Sequence, residues 1–345
     1  MPLMLAHSFV SLIMKVTICK PTMTTISKDA RSRFTELRAS LRLPIAVAPM
    51  FLVSGPEIVT AAARSGVIGS FPAPNARSID TLEEWLDRIT GELKLLRNKQ
   101  VDGATDVWAQ NLVVHSTYDR LDAELALLQK YQPPIVITAL GSPKRTIEAV
   151  HDYGGLVIAD VNSVGLARKA VEAGADGLAL VSAGAGGHTG QMAGFAFVPA
   201  VREFFDGILI LAGAIGDGRA VRAAEILGAE LSYMGTRFIA TEESVAFDSY
   251  KQMVVDSDYS DLILTNSFSG AHAYYLRPSI VAAGLDPNNL PRKDGMDLAG
   301  SETKVKAWKD VWSAGQGVGT VHKVEPLADI LDRIDAEYRA ARQLA

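Results

Sequence analysis

Short apolar segments alternate with longer amphipathic segments from about residue 44 onward. Each short segment holds a nearly continuous apolar run, which is typical of strands buried on both faces of a parallel sheet. These segments predict strands at 45–49, 67–70, 107–114, 135–141, 156–161, 177–181, 208–212 and 231–235. The amphipathic segments between them predict helices at 57–65, 81–96, 119–130, 144–151, 163–173, 199–205 and 219–227.

Glycines mark the ends of several predicted helices, at Gly66, Gly154, Gly174 and Gly228. A glycine just past the last turn is a common helix C-cap. Gly-Ala-Asp at 174–176 and Gly-Ala-Glu at 228–230 each lead into a strand, as expected of repeated strand–helix units. Eight strands, each followed by a helix or a loop, favour a closed (β/α)8 TIM barrel over an open sheet. No Gly-x-Gly-x-x-Gly follows the first strand, which disfavours a dinucleotide-binding fold.

The pattern changes after the eighth predicted strand. We expect the barrel at 41–240 and a small, mostly helical second domain at 241–310. A last amphipathic segment at 327–342 predicts a helix within a C-terminal segment, 311–345, that rejoins the barrel. Residues 1–40 are interpreted as an N-terminal extension. Its apolar run at 9–14 is compatible with a short signal sequence, but no Lys or Arg precedes it, so a disordered or over-extended N-terminus starting again at Met23 is favoured.

Composition restricts the partners. Hydrophobic residues make up 48% and charged residues 21% of the chain, and the net charge is −5. Because the chain is acidic and lacks a basic stripe, we expect no nucleic-acid partner. No segment reaches transmembrane length, so no membrane partner is expected. Cys19 is the only cysteine, which excludes an internal disulfide and favours a reducing, cytoplasmic location. A homo-oligomer is left open.

The segment Ala-Gly-Gly-His-Thr-Gly at 185–190 follows the sixth predicted strand. Its glycines add little to a core, but they allow close approach of a flat or phosphorylated ligand at Gly186 and Gly187. His188 beside them can exchange a proton near neutral pH. Since barrel enzymes carry their active sites at the C-terminal ends of the strands, this segment is predicted to be a catalytic loop.

Glycine-containing loops also follow the seventh and eighth predicted strands, at 212–218 and 234–237. In such barrels these two loops often bind phosphate, and a helix N-terminus just beyond Asp217 is expected to assist. Tight turns that close the barrel are the alternative. A phosphate beside a site for a flat ring fits flavin mononucleotide. Pyridoxal phosphate fits less well, because no predicted strand end presents a lysine.

Several motifs together resemble the nitronate monooxygenases. They are Ala-Gly-Gly-His-x-Gly at 185–190, Ala-Gly-Ala-Ile at 212–215, Asp-Gly-Arg at 217–219, Met-Gly-Thr-Arg-Phe at 234–238, Phe-Ser-Gly at 268–270 and Gly-Gln-Gly-Val-Gly at 315–319. The resemblance covers residues 44 to 340. It implies an FMN-dependent (β/α)8 barrel that oxidises alkyl nitronates with dioxygen to a carbonyl compound and nitrite.

The resemblance also implies roles for single residues. His188 matches the catalytic histidine, which orients the nitronate or removes the α-proton of a nitroalkane. The matching cofactor contacts are Pro49, Met50, Asn111, Gly186, Gly213, Ala214, Gly235 and Thr236. The chain departs from a Gln-Gly-x-Glu pattern that often precedes the glycines, since Val181 and Gly184 stand where glutamine and glutamate are usual.

Alternatives remain from the sequence. An FMN-dependent enoyl-acyl-carrier-protein reductase or NAD(P)H:quinone reductase would share the barrel, and a flavin-binding protein without turnover is a third hypothesis. Asp160, at the end of the fifth strand, is placed among the cofactor contacts, with capping of the next helix as the alternative. Tyr274 and Tyr275, with His272 and Arg277, either cover the site or belong to an appendage that packs against the barrel. His115, His188 and His272 are dispersed, which does not favour a metal site.

Overall fold

A computed structural model describes residues 23–293 and 305–344. Within them the strands are β1 (Ile45–Val47), β2 (Gly69–Pro72), β3 (Trp108–Val113), β4 (Ile135–Ala139), β5 (Leu156–Val161), β6 (Gly177–Val181), β7 (Gly187–His188), β8 (Ile208–Ala212), β9 (Leu231–Met234), β10 (Leu262–Thr265) and β11 (Ala273–Leu276). Eight of them form a parallel sheet in the order β1-β9-β8-β6-β5-β4-β3-β2. A bridge between Ala46 and Ile68 joins its two edges, and Val47 N–H donates to Ile68 O at 2.8 Å. The predicted TIM barrel is confirmed.

Helices surround this barrel. They are α1 (Lys28–Ala39), α2 (Pro56–Arg64), α3 (Ile79–Asn98), α4 (Leu121–Tyr131), α5 (Lys144–Asp152), α6 (Val164–Glu172), α7 (Gly194–Arg202), α8 (Gly218–Leu227), α9 (Asp248–Val255), α10 (Arg277–Ala282) and α11 (Leu327–Arg342). Helices α2 to α8 each follow a barrel strand, and α11 packs against α8 and α2. The C-terminal helix therefore takes the eighth place in the ring. Among the described residues no helix is both long and apolar enough to cross a bilayer.

The barrel strands are buried on both faces because two apolar clusters meet on them. Alternate residues such as Ile137, Ile158 and Ile210 fill the barrel interior. The residues between them, such as Val136 and Val157, pack outward against the helices. A strand that is apolar on both faces has no polar alternation, which accounts for the continuous apolar segments in the sequence.

Helix α1 corrects the expected boundary at residue 41. Phe34 on α1 and Leu41 just after it join the cluster inside the barrel. Ser27 caps the helix by accepting from Ala30 N–H at 3.0 Å, and Arg31 on it contacts Glu230 at 3.1 Å. Residues 28–39 therefore belong to the barrel, because they cover its N-terminal end. The apolar run at 9–14 lies outside the described residues.

The second region, residues 241–310, was expected to be mostly helical, but it also contains strands. Strands β10 and β11 pair antiparallel, and β11 pairs with β7, so a three-stranded sheet forms beside the barrel. Phe268, Tyr275 and Ile280 are the centre of its small apolar cluster. The strands were not predicted because each is four residues or shorter and β7 lies far from β11 in sequence. Residues 294–304 of this expected domain lie outside the described residues.

Candidate active site

The loop after β6 folds back tightly on the strand end. Ser182 Oγ donates to Ala212 O at 2.5 Å, and Thr189 Oγ1 donates to Ser182 O at 3.0 Å. Gly184 and Gly187 take φ values of +90° and +67°, in the left-handed region that favours glycine. The glycines of this loop are therefore required by its backbone, and they bring His188 back over the end of the barrel.

The end of this loop is a strand of the small sheet. His188 on β7 pairs with Ala273 on β11, and Gly187 pairs with Tyr274. Thr189 N–H extends the contact by donating to His272 O at 3.0 Å. The second region therefore holds the backbone of the histidine by main-chain hydrogen bonds. Arg277 instead donates to Asn288 at 3.3 Å, within the second region.

His188 is held by a serine from the second region. Its Nε2 lies 3.1 Å from Ser269 Oγ, and Ser269 Oγ donates to Ala271 O at 3.1 Å. A hydroxyl has one proton, so Nε2 must be the donor to the serine and Nδ1 carries a free lone pair. Burial lowers the pKa of His188 to about 4. The imidazole is therefore neutral at pH 7 and can accept a proton on Nδ1.

Two loops next to this one carry free backbone donors. Gly213 takes a φ of +117° and Ala214 a φ of +57°. A Cβ on Gly213 would lie 2.3 Å from Ser182 Oγ, so only glycine fits there. Within the part of the chain that the structure describes, the backbone N–H groups of Ala214 and Thr236 donate no hydrogen bond. These two N–H groups at the barrel end are suited to an anionic ligand.

The glycine loop, the loop after β9 and the C-terminal segment meet at Gly186. A Cβ on Gly186 would lie 2.8 Å from Gly315 N and 3.1 Å from Thr236 Oγ1. Gly315 N–H donates to the same Thr236 oxygen at 2.8 Å. The backbones approach closely here because no side chain separates them.

Two carboxylates contact the N-terminus of α8, which the sequence predicts to assist phosphate binding. Asp217 caps the helix by accepting from Ala220 N–H at 2.8 Å. Gly218 N–H donates to Glu337 Oε2 of α11, also at 2.8 Å. Two carboxylates therefore already use this helix end, and a phosphate there would face their negative charge. The free donors lie in the loops instead.

The segment after β1 lies beside the loop after β9. The sulfur of Met50, which follows Pro49, is 3.4 Å from the position of a Cβ on Gly235. Asn75 Nδ2 fixes this segment by donating to Met50 O at 2.9 Å. Asn111, near the end of β3, is buried and donates to Ile137 O at 3.3 Å. All of these residues lie toward the C-terminal ends of the strands.

Asp160 does not cap the next helix, because Ser163 does. Ser163 Oγ accepts from Leu166 N–H at 3.3 Å. Within the described residues Asp160 Oδ1 is buried without a hydrogen-bond partner, and so is the hydroxyl of Tyr233. Burial raises the pKa of Asp160 to about 7. Burial and the charge of Asp160 raise the pKa of Tyr233. The interior of the barrel end therefore holds an acidic group available to a ligand.

Two residues that the sequence did not predict contact the loop that carries His188. Ser313 Oγ accepts from Gly187 N–H at 2.7 Å. Trp308 stands at right angles to the His188 ring, with 5.0 Å between centroids. Neither carries a sequence signal, because both follow the glycine loop by more than 100 residues in an irregular segment. The side chain of His115 is hydrogen-bonded within its own loop, with Nδ1 2.8 Å from Thr117 Oγ1.

Comparisons with known proteins agree with this arrangement. The nitronate monooxygenase family model matches residues 32–334. A (3aS,4S,5R,7aS)-5-hydroxy-7a-methyl-1-oxo-octahydro-1H-indene-4-carboxyl-CoA dehydrogenase from Mycobacterium tuberculosis is 28% identical over 256 residues, 73% of this chain and 67% of that protein. A probable nitronate monooxygenase from Staphylococcus haemolyticus is 30% identical over 224 residues, 59% of this chain and 62% of that protein.

A solved structure supports the fold independently. Nitroalkane oxidase from Streptomyces ansochromogenes superposes with a TM-score of 0.74 at 23% identity, and the match covers 90% of this chain and 99% of that one. The range matched by the family model includes the glycine loop with His188 and the two donor loops. The chain belongs to the nitronate monooxygenase family of flavin-dependent oxidoreductases.

Proposed function

We propose that this protein binds FMN at the C-terminal end of the barrel and oxidises alkyl nitronates with dioxygen to a carbonyl compound and nitrite. The observation that carries the proposal is a neutral histidine, fixed by Ser269 and placed beside glycine loops, in a member of this family. Neutral His188 is suited to a substrate whose reactive carbon carries an acidic proton.

The residues present fit FMN. The free N–H groups of Ala214 and Thr236 would hold its phosphate. Glycine at 186 and 213 lets the loops pack tightly on their neighbours, and glycine at 187 and 235 would let the backbone approach the cofactor closely. Pro49, Met50 and Asn111 would contact the ring, and Asp160 would offer a polar contact from within the barrel. When bound, the flavin supplies the electron transfer between substrate and dioxygen.

His188 has a defined proton task. Its Nε2–H is directed to Ser269, so Nδ1 is the atom that would take the α-proton from a neutral nitroalkane. Because burial lowers the pKa of His188 to about 4, the free imidazole is in the accepting form at neutral pH. Once protonated, Nδ1–H would donate to an oxygen of the nitronate that has formed.

The visible spectrum of the purified protein tests the proposal. We expect a yellow protein whose extracted cofactor has the mass of FMN. Under anaerobic conditions, propyl-2-nitronate should bleach the flavin absorbance, and NADPH should not. Oxygenated turnover should then release nitrite and acetone in equal amounts. A colourless protein that takes up no FMN would contradict the cofactor, and a yellow protein inert to nitronates would contradict the reaction.

One observation favours a second candidate. The Mycobacterium tuberculosis relative is a dehydrogenase that acts on a CoA thioester, and it matches 73% of this chain. Val181 and Gly184 also depart from the motif of the nitronate enzymes. A flavin-dependent oxidoreductase acting on a thioester, such as an enoyl-acyl-carrier-protein reductase, is therefore the alternative. Rapid anaerobic bleaching by NADPH and re-oxidation by an enoyl thioester would favour it.

A further inference from the structure

Trp308 occupies an unusual backbone conformation beside the catalytic loop. Its φ is +62°, in the left-handed region that bulky residues rarely adopt. A turn imposes this value, since Trp308 N–H donates to Val311 O at 2.8 Å. Backbone strain of this kind tends to cluster at functional sites. The turn presents the indole to the loop that carries His188.

The indole is part of an aromatic wall, which we define as Phe51, Tyr275 and Trp308. The Trp308 ring lies 6.5 Å from Phe51 at 87° and 6.3 Å from Tyr275 at 38°. It also stands 5.0 Å from the His188 ring at 89°. The wall therefore joins the loop after β1, the second region and the catalytic histidine. Phe51 is 38% exposed, so the wall reaches the surface.

The polar edge of the indole faces the glycine loop. Trp308 Nε1 lies 3.9 Å from the position of a Cβ on Gly187. In the described ranges Trp308 Nε1–H donates no hydrogen bond, whereas the same group of Trp312 donates to Lys309 O at 3.3 Å. A free indole N–H next to the catalytic loop can bind a ligand oxygen.

The state of His188 leaves a need for such a donor. With Nε2–H directed to Ser269, Nδ1 presents a lone pair. A lone pair accepts a proton but repels the oxygens of a substrate that arrives as an anion. A substrate already in the nitronate form therefore needs a hydrogen-bond donor from another residue.

We propose that Trp308 is a substrate-binding residue, whose indole N–H donates to an oxygen of the anionic substrate while its ring packs against the apolar group on the reactive carbon. This inference rests on the proposed function. It assigns the substrate class as nitronates with an alkyl or aryl substituent, and it disfavours substituents that carry a charge.

Two substitutions separate the two tasks of the residue. Trp308→Phe keeps an aromatic ring and removes the donor, and Trp308→Ala removes both. Trp312→Phe is the matched control, since Trp312 stacks on Tyr250 at 5.1 Å, away from His188. FMN content and circular dichroism of each holoenzyme establish that the variants fold.

Kinetics on nitronates from ethyl to hexyl give the first readout. In the wild type, kcat/KM should rise about threefold to fourfold for each added methylene, as expected when a chain enters an apolar site. Trp308→Phe should raise KM about tenfold at every chain length, because one hydrogen bond to an anion is lost. Trp308→Ala should also flatten the dependence on chain length. Trp312→Phe should match the wild type.

Binding of carboxylates gives a readout without turnover. Butanoate and hexanoate have the shape and charge of alkyl nitronates, and calorimetry of the holoenzyme should give dissociation constants that rise about tenfold in Trp308→Phe. If the wild type turns over no nitronate but shows this carboxylate dependence, the proposed reaction fails and the assignment of Trp308 stands. Unchanged KM and unchanged carboxylate affinity in Trp308→Phe would overturn the donor. If kcat/KM of Trp308→Ala still rose with chain length as in the wild type, the Trp308 ring would not contact the alkyl group of the substrate.

Discussion

The two ends of the barrel consist of different types of residue. At the N-terminal end, Phe34 of α1 and Leu41 are buried within the interior cluster, and Arg31 is paired with Glu230 at 3.1 Å. At the C-terminal end the backbone passes through Gly186 and Gly213, and among the described residues Asp160 Oδ1 is buried without a hydrogen-bond partner. One end is closed by apolar side chains, whereas the other is built from glycine turns and polar groups.

From this difference we infer that the N-terminal end mainly stabilises the fold, and we expect ligand binding at the C-terminal end. Buried apolar side chains contribute directly to the free energy of unfolding. A buried carboxyl without a partner lowers that free energy, and it is retained in proteins where it has a task. Substitutions at the first end should therefore change stability, and substitutions at the second end should change binding and turnover.

The largest effect is expected at His188. His188→Asn should lower kcat with a neutral nitroalkane by a factor of about 10² to 10⁴, because the substitution removes the residue that we propose as acceptor of the α-proton. FMN content and melting temperature at pH 8 should stay near the wild-type values. His115→Asn is the control, since that side chain is hydrogen-bonded to Thr117 within its own loop. Full activity in His188→Asn would show that another group takes the proton.

At the N-terminal end of the barrel, a change of similar size is expected in the free energy of unfolding. Phe34 is 4% exposed, and Phe34→Ala should lower the free energy of unfolding by about 3–5 kcal/mol. Turnover per folded molecule should not change. Phe195→Ala serves as the control because Phe195 is 73% exposed. Chemical denaturation measures both variants, and equal midpoints would mean that α1 does not seal the barrel.

A smaller effect on cofactor binding is expected at Gly186. A Cβ there would lie 2.8 Å from Gly315 N, so Gly186→Ala should displace the loops and weaken FMN binding about tenfold. Gly91→Ala in α3 is the matched control, because its Cβ would meet nothing within 4 Å. Fluorescence titration of the apoprotein with FMN gives both affinities. An unchanged affinity in Gly186→Ala would remove this loop from the cofactor site.

The smallest effect is a pH-dependent change in stability at Asp160. Burial raises the pKa of Asp160 to about 7, so the folded chain keeps a proton that the unfolded chain loses above about pH 4. This residue therefore destabilises the fold progressively as the pH rises from about 4 to 7. Asp160→Asn should raise the melting temperature of the apoprotein at pH 8 by at least about 2 °C.

The increase in melting temperature caused by Asp160→Asn should become smaller toward pH 4, where the carboxyl of Asp160 is largely protonated in both the folded and the unfolded chain. Asp102→Asn, in an exposed loop, is the control and should show no such trend. Scanning calorimetry across the pH range gives the comparison. A gain that does not depend on pH would mean that the buried carboxyl does not carry the effect.

The sequence predicts the barrel well because its strands are apolar on both faces and its helices end at glycines such as Gly228. Strand β2 begins at Gly69 and not at residue 67 as predicted. Ile68, just before it, forms the bridge to Ala46 that closes the barrel. Helix α1 was not predicted. Its apolar residues make sense only against the open end of a barrel, which a local pattern does not reveal.

For the site, the sequence predicts what lies at strand ends and in glycine loops, such as His188 and Gly213. It does not predict Ser269 or Trp308 as neighbours of that histidine, because both come from the region beyond the barrel. It also does not predict Glu337 at the N-terminus of α8, where the carboxylate accepts from Gly218 N–H at 2.8 Å. These errors concern contacts between segments distant in sequence, which no local pattern encodes.

A crystal structure of the holoenzyme with FMN tests the central claim most directly, namely that the C-terminal end of the barrel is the binding end. The account predicts phosphate oxygens within hydrogen-bond distance of the N–H groups of Ala214 and Thr236. It also predicts the flavin ring between Met50 and the loop that carries His188. Flavin bound elsewhere on the molecule, or phosphate at the N-terminus of α8, would contradict it.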